Sequence, residues 1–144
     1  MYLVDTNVIS ASAPTKTPSH ADLAAWMERN SDHLYLSVVT IAEIEDGIAK
    51  AAREGAHRKA TQLAAWLEAV LHLYSARILA LDVRVARLAG QLSDLARGRG
   101  HAPGFADLVI AATAQSRGYV VLTRNVRHFS IVDVPAHDPF AALP

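Results

Sequence analysis

Short apolar runs alternate along this chain with longer stretches of helical periodicity. Tyr2 to Val4 is a compact apolar run that breaks off at Asp5, Thr6 and Asn7, and it reads as a buried strand handing over to a helix. Ser10 to Ser19 carries Pro14 and Pro18 among small residues and reads as a loop. Ser19 is placed to cap a helix in which Leu23, Trp26 and Met27 share a stripe, and Asn30, Ser31 and Asp32 stop it. His33 to Leu36 predicts a second strand ending at Ser37. Two helices come next, Val38 to Arg53 with Ile41, Ile44 and Ile48 on one stripe, and a second burying Leu63, Trp66, Leu67, Val70 and Leu71. Gly55 separates them into a helical hairpin. Both tryptophans, Trp26 and Trp66, are expected in the core.

Arg77 to Leu81 predicts a third strand. Asp82 to Arg97 is a helix burying Val85, Leu88, Ala89, Leu92 and Leu95 at helical spacing. Gly98 to Gly104 is a loop, and Phe105 to Arg117 is a helix closed by Gly118 as a left-handed cap. Tyr119 to Leu122 is a fourth strand and Val132 to Val134 a weak last one. Strands alternating with helices imply a mostly parallel sheet covered on both faces, an α/β sandwich.

Composition narrows the possibilities. The 144 residues make one domain, read as spanning 1–144, and 51% apolar content makes it globular. Lys plus Arg and Asp plus Glu total 14 each, so nucleic acid has only a local patch to recognise and no global field. Without cysteine there are no disulfides and no thiolate metal sites. No apolar run approaches the roughly 20 residues that cross a bilayer, and nothing at the N-terminus reads as a signal peptide. A soluble, cytoplasmic protein without membrane contact is the expectation.

The candidate chemistry lies just beyond the strand ends. Parallel strands put their carboxyl ends along one edge, where Asp5, Glu43 in the first turn of its helix and Asp107 in the first turn of another would meet. Each acid alone has a plain explanation. Asp5 reads as an N-cap, Thr40 to Glu43 has capping-box spacing, and Asp107 complements a helix dipole. Together they repel unless a cation neutralises them, and a hard cation such as Mg²⁺ or Mn²⁺ suits oxygen ligands. Helix N-termini beside them are expected to keep them ionised. Gly47, one turn past Glu43, hints at a close approach there. The seven histidines show no zinc spacing, and no phosphate-binding glycine loop is present.

Four segments in order carry a resemblance: Val4-Asp5-Thr6-Asn7, Ser37 to Ile44, Asp107 to Ala114, and Val121 to Val126. They resemble the PIN-domain nucleases, in particular the VapC-type ribonuclease toxins of toxin–antitoxin systems and their FitB-like relatives. The resemblance implies a three-layer α/β/α fold with a mostly parallel central sheet, Mg²⁺ or Mn²⁺ dependence and hydrolysis of RNA phosphodiester bonds. It also implies a homodimer and inhibition by a small antitoxin, with DNA reached only through that partner. Asp5, Glu43 and Asp107 carry over as the metal-binding, catalytic acids.

One departure touches the number of metals. Many members place a further acid after the fourth strand, where this chain has Asn125 and His128. Asn125 is kept as a catalytic candidate that orients water or contacts phosphate. Thr6, Asn7, Arg99, Thr123 and Arg124 are candidates for substrate binding, and Arg97, His101 and Arg127 join the two arginines as a candidate phosphate rim. Two other readings stand beside the toxin nuclease. One is a catalytically weak PIN-like module that regulates with a DNA-binding partner, and the other an RNA-processing nuclease outside any toxin system.

Overall fold

The computed structural model describes residues 1–16 and 20–144, so the expected cap at Ser19 and the proline at position 18 lie outside the described residues. Among the described residues five strands are present: β1 Tyr2–Val4, β2 Leu34–Ser37, β3 Ile78–Leu79, β4 Val120–Leu122 and β5 Ala136–His137. They form one parallel sheet in the order β3-β2-β1-β4-β5. Tyr2 stands opposite Leu34 on one side and Val120 on the other.

The strands are too short to hold together by ladder bonds alone, and burial of both faces does the rest. Successive side chains alternate between faces. Leu3, Tyr35 and Val121 pack under helices α5 Val83–Gly98, α6 Phe105–Arg117 and α7 Val126–Ser130. Val4, Leu34, Leu36 and Leu122 pack under α1 Thr6–Ile9, α2 Ala21–Arg29, α3 Val38–Arg53 and α4 His57–Tyr74. This is the three-layer α/β/α sandwich that the alternation of elements implies.

Boundaries match where local signals are strong. α3 begins at Ser37, whose hydroxyl accepts from the Val39 N–H at 3.1 Å, and α6 ends at Gly118 with φ +70°. Two expectations fail. Val132 to Val134 is not a strand, because the N–H groups of Val132 and Val134 both turn back to the Phe129 carbonyl, with Asp133 at φ +59°. Their apolar side chains reach the core as a turn, and the last strand is β5. The third strand is also shorter than read. Ser75–Arg77 is a 3-10 turn, and the Arg77 guanidinium donates to the carbonyls of Ser31, Leu34 and Leu73, stitching α4 to β2. Trp26 and Trp66 sit half-buried at the rim of their layer, Trp26 edge-on to Tyr2 at 5.7 Å.

The strand order fixes where chemistry can gather. From β1 the chain proceeds outward through β2 and β3, and on the other side through β4 and β5. The direction reverses between β1 and β4, which opens a crevice beyond their carboxyl ends. Asp5 and Thr123 are the residues that leave those two strands there.

Phe129 anchors α7 to the sheet and is fully buried. Phe129→Ala should therefore lower unfolding free energy by about 3–5 kcal/mol, as a large core deletion does. Urea denaturation measures this, and a loss below about 1 kcal/mol would show that α7 is not part of the core.

Candidate active site

Asp5 is the most enclosed acid of the site, 4% exposed. Its backbone caps α1, and its side chain gathers donors from both sides of the crevice. The Thr6 N–H donates to Oδ1 at 2.7 Å, while the Thr123 hydroxyl and the Asn7 amide donate to Oδ2 at 2.7 and 3.2 Å. Burial pushes its carboxyl above the ordinary carboxylate value. The hydrogen bonds from Thr123 and Thr6 oppose that shift, and the charges of Asp107 and Glu43 add to it. The net direction is upward, so burial outweighs the hydrogen bonds at the start of α1.

Glu43 lies exposed in the second turn of α3, one turn later than expected, and the capping box it suggested is absent. Ser37 caps that helix. Glu43 Oε1 instead accepts the Thr6 hydroxyl at 2.6 Å, and Thr6 Oγ1 lies 3.1 Å from that of the fully buried Thr40. Asp107, in the first turn of α6, is half-buried, and its Oδ2 accepts from His128 Nδ1 at 2.8 Å. Gly47 is exposed and an added Cβ would meet nothing within 4 Å, so no close approach explains it.

Of the substrate-binding candidates, Thr6, Asn7 and Thr123 bond directly to these acids, whereas the side chains of Arg99 and Arg124 hold other partners. Thr6 and Thr123 donate to Glu43 and Asp5. Asn7 spans Asp5 and the Arg124 N–H, which donates to its Oδ1 at 3.2 Å. Arg124 lays its guanidinium over Phe140, 3.7 Å from the ring centre, beside His20. Arg99 donates to the Ile131 carbonyl and to Asp133 at 2.7 and 2.9 Å, which ties the loop before α6 to the turn after α7. Arg97 pairs with Asp94 on the surface. Asn125 is exposed, and its N–H donates to Thr123 Oγ1 at 2.9 Å.

Sequence reading placed Thr40 only as the start of a capping box with Glu43, and it did not single out Phe140 or the pairing role of His128. Only His128 left a trace, at i+3 from Asn125 on a short helix.

The acids suit a hard divalent cation in ligand chemistry, since a cation would relieve the cost of ionising Asp5 beside two other carboxylates. Glu43 Oε2 and Asp107 Oδ1 make no hydrogen bond among the described residues. No three His, Asp or Glu side chains among the described residues converge closely enough to enclose a metal unaided. A cation here would keep water in its shell, as Mg²⁺ does.

Acids spread along the carboxyl edge of a parallel sheet at its switch point define an α/β/α domain with an open acidic site. The PIN domain family model matches residues 2–135, and the chain belongs to that family. It is 34% identical over 142 residues to Toxin FitB of Neisseria gonorrhoeae, an alignment covering 97% of this chain and 99% of FitB. It is 35% identical over 141 residues to VapC ribonuclease Y4jK of Sinorhizobium fredii, covering 97% and 98% of the two chains. The crystal structure of FitAcB from Neisseria gonorrhoeae is similar with a TM-score of 0.84 at 34% identity, covering 97% of this chain and 99% of that one.

The raised Asp5 pKa has a sign that can be checked. The folded protein holds that proton more tightly than the unfolded chain, so the stabilising contribution is complete below the ordinary value of 3.8 and is lost as pH rises through the folded value. Without divalent cation, the Tm of Asp5→Asn should therefore gain on that of wild type as pH rises above the ordinary value, in melts on both proteins. Added Mg²⁺ should stabilise wild type alone and narrow the gap. A gap that does not change with pH would remove the buried-charge explanation.

Proposed function

We propose that this chain is a metal-dependent endoribonuclease, the toxin of a toxin–antitoxin pair, which hydrolyses RNA phosphodiester bonds and is silenced by its antitoxin. The observation that carries this is Asp5, an acid buried at the switch point, braced by Thr6, Asn7 and Thr123, and facing the charges of Asp107 and Glu43. A purely structural cap has no use for two further carboxylates around it. Near-full-length similarity to proteins named as a toxin and as a VapC ribonuclease supports the same reading.

Asp5 and Asp107 would hold the cation, Mg²⁺ or Mn²⁺. When bound, such an ion polarises a phosphoryl oxygen and lowers the pKa of an attacking water. Glu43 is exposed with Oε2 free among the described residues, and it accepts the proton of that water while Thr6 holds Oε1 in place. Asn125 presents its amide from the mouth of the crevice to water or phosphate. Thr6, Asn7 and Thr123 act on the substrate through the acids they orient. Arg99 and Arg124 reach RNA by exchanging their present partners, Asp133 and Phe140.

The working form is a homodimer in the cytoplasm, bound by antitoxin until released, and DNA is met only through that partner. No helix among the described residues is long and apolar enough to cross a membrane.

The test uses protein freed of any partner, a mixed RNA pool with structured tRNA and rRNA, and Mg²⁺ or Mn²⁺ against EDTA. Cleavage should require the ion and fall by at least about 100-fold in Asp5→Asn. RNA left equally intact by wild type and variant would overturn the nuclease and favour a binding module that works with a DNA-binding partner.

A further inference from the structure

The pair formed by His128 and Asp107 has no explanation in the fold. Their side chains are 50% and 26% exposed, and a pair this wet contributes only about 0–1 kcal/mol to stability. Yet both partners are placed by rigid parts. Asp107 precedes the buried run Leu108 to Ala114 of α6, and His128 precedes the fully buried Phe129 of α7. Arg99, which caps α5, ties the end of that helix to Ile131 and Asp133 just after α7. Residues 21 apart in sequence are thereby held 2.8 Å apart.

We propose that His128 is the positioning residue for Asp107. A carboxylate only accepts, so the proton of the contact belongs to Nδ1, and Nδ1–H fixes Asp107 Oδ2. Asp107 Oδ1 is left as the oxygen available to a cation, and its rotamer is set before the ion arrives. An imidazole in this place orients a ligand without adding another negative charge to an edge where Asp5 already feels two. His128 Nε2 remains free to accept, and with His101, Pro103, Gly104 and Ile131 the pair lines a cavity of about 230 Å³. The role of Oδ1 rests on the metal-dependent nuclease reading, whereas the fixed hydrogen bond does not.

Three measurements test this. Imidazole ¹⁵N NMR of metal-free protein should find neutral His128 as the Nδ1–H tautomer, and Asp107→Ala should abolish that preference. Mn²⁺ titration without RNA should find His128→Ala weaker by roughly 10- to 100-fold, the usual effect of removing a partner that orients a ligand. His128→Asn, which keeps a donor near Nδ1, should recover affinity, and His128→Gln, which places its donor near Nε2, should not. In RNA cleavage the same series should change kcat with KM unmoved. The proposal is overturned by an Nε2–H tautomer, by wild-type Mn²⁺ affinity in His128→Ala, or by rescue with Gln and not Asn. A wild type that binds Mn²⁺ but cuts no RNA would sink the nuclease reading, while the tautomer and the Mn²⁺ series would still decide the role of His128.

Discussion

The Asp5 carboxylate sits where carboxylates are costly, with a strand on either side and almost no exposed surface, and three donors make the position tolerable. Hydrogen bonds to a charged group contribute about 1.5–3 kcal/mol each, which is the scale needed against a desolvation penalty of several kcal/mol. Both sides of the switch point are therefore committed to one side chain. Thr6 and Asn7 open α1 after β1 and Thr123 follows β4, so closing the sheet and building the site are the same event.

That constraint spreads outward through groups with two jobs. The Thr6 N–H serves Asp5 while its hydroxyl serves Glu43. Thr123 donates to Asp5 and accepts from the Asn125 N–H. Asn7 donates to Asp5 and accepts from the Arg124 N–H, and the Arg124 side chain stacks on Phe140 from the end of the chain. No buried side-chain polar atom among the described residues lacks a partner, so the buried part of the network around Asp5 is fully bonded. A complete network of this kind is stiff, which suits a site whose acids must be held apart against their own repulsion.

Asp107 stands outside this network. It is more exposed than Asp5, and among the described residues its side chain takes one hydrogen bond, from His128 of α7. The site thus has a buried half around Asp5 and a more exposed half around Asp107, where His101 to Gly104 line the same cavity.

The layers and most helix limits were legible in the sequence, and so was the nearness of Asp107 and Glu43 to Asp5. Periodicity, Ser37 before α3 and Gly118 after α6 are local signals, and local hydrogen bonds obey them. Partners were not legible. Thr40 to Glu43 has the spacing of a capping box, yet Glu43 bonds to Thr6, 37 residues earlier, because the sheet brings α1 and α3 together. Val132 to Val134 has the apolar character of a strand, yet its N–H groups close on the Phe129 carbonyl and the ladder position falls to Ala136 and His137. Arg99 and Arg124 read as a phosphate rim, and the partners that tertiary packing gives them, Asp133 and Phe140, left no signal in their spacing. Spacing along a chain reports contacts within a turn or two of helix, whereas the crevice is made by residues more than a hundred positions apart, and the folded sheet selects which of them meet.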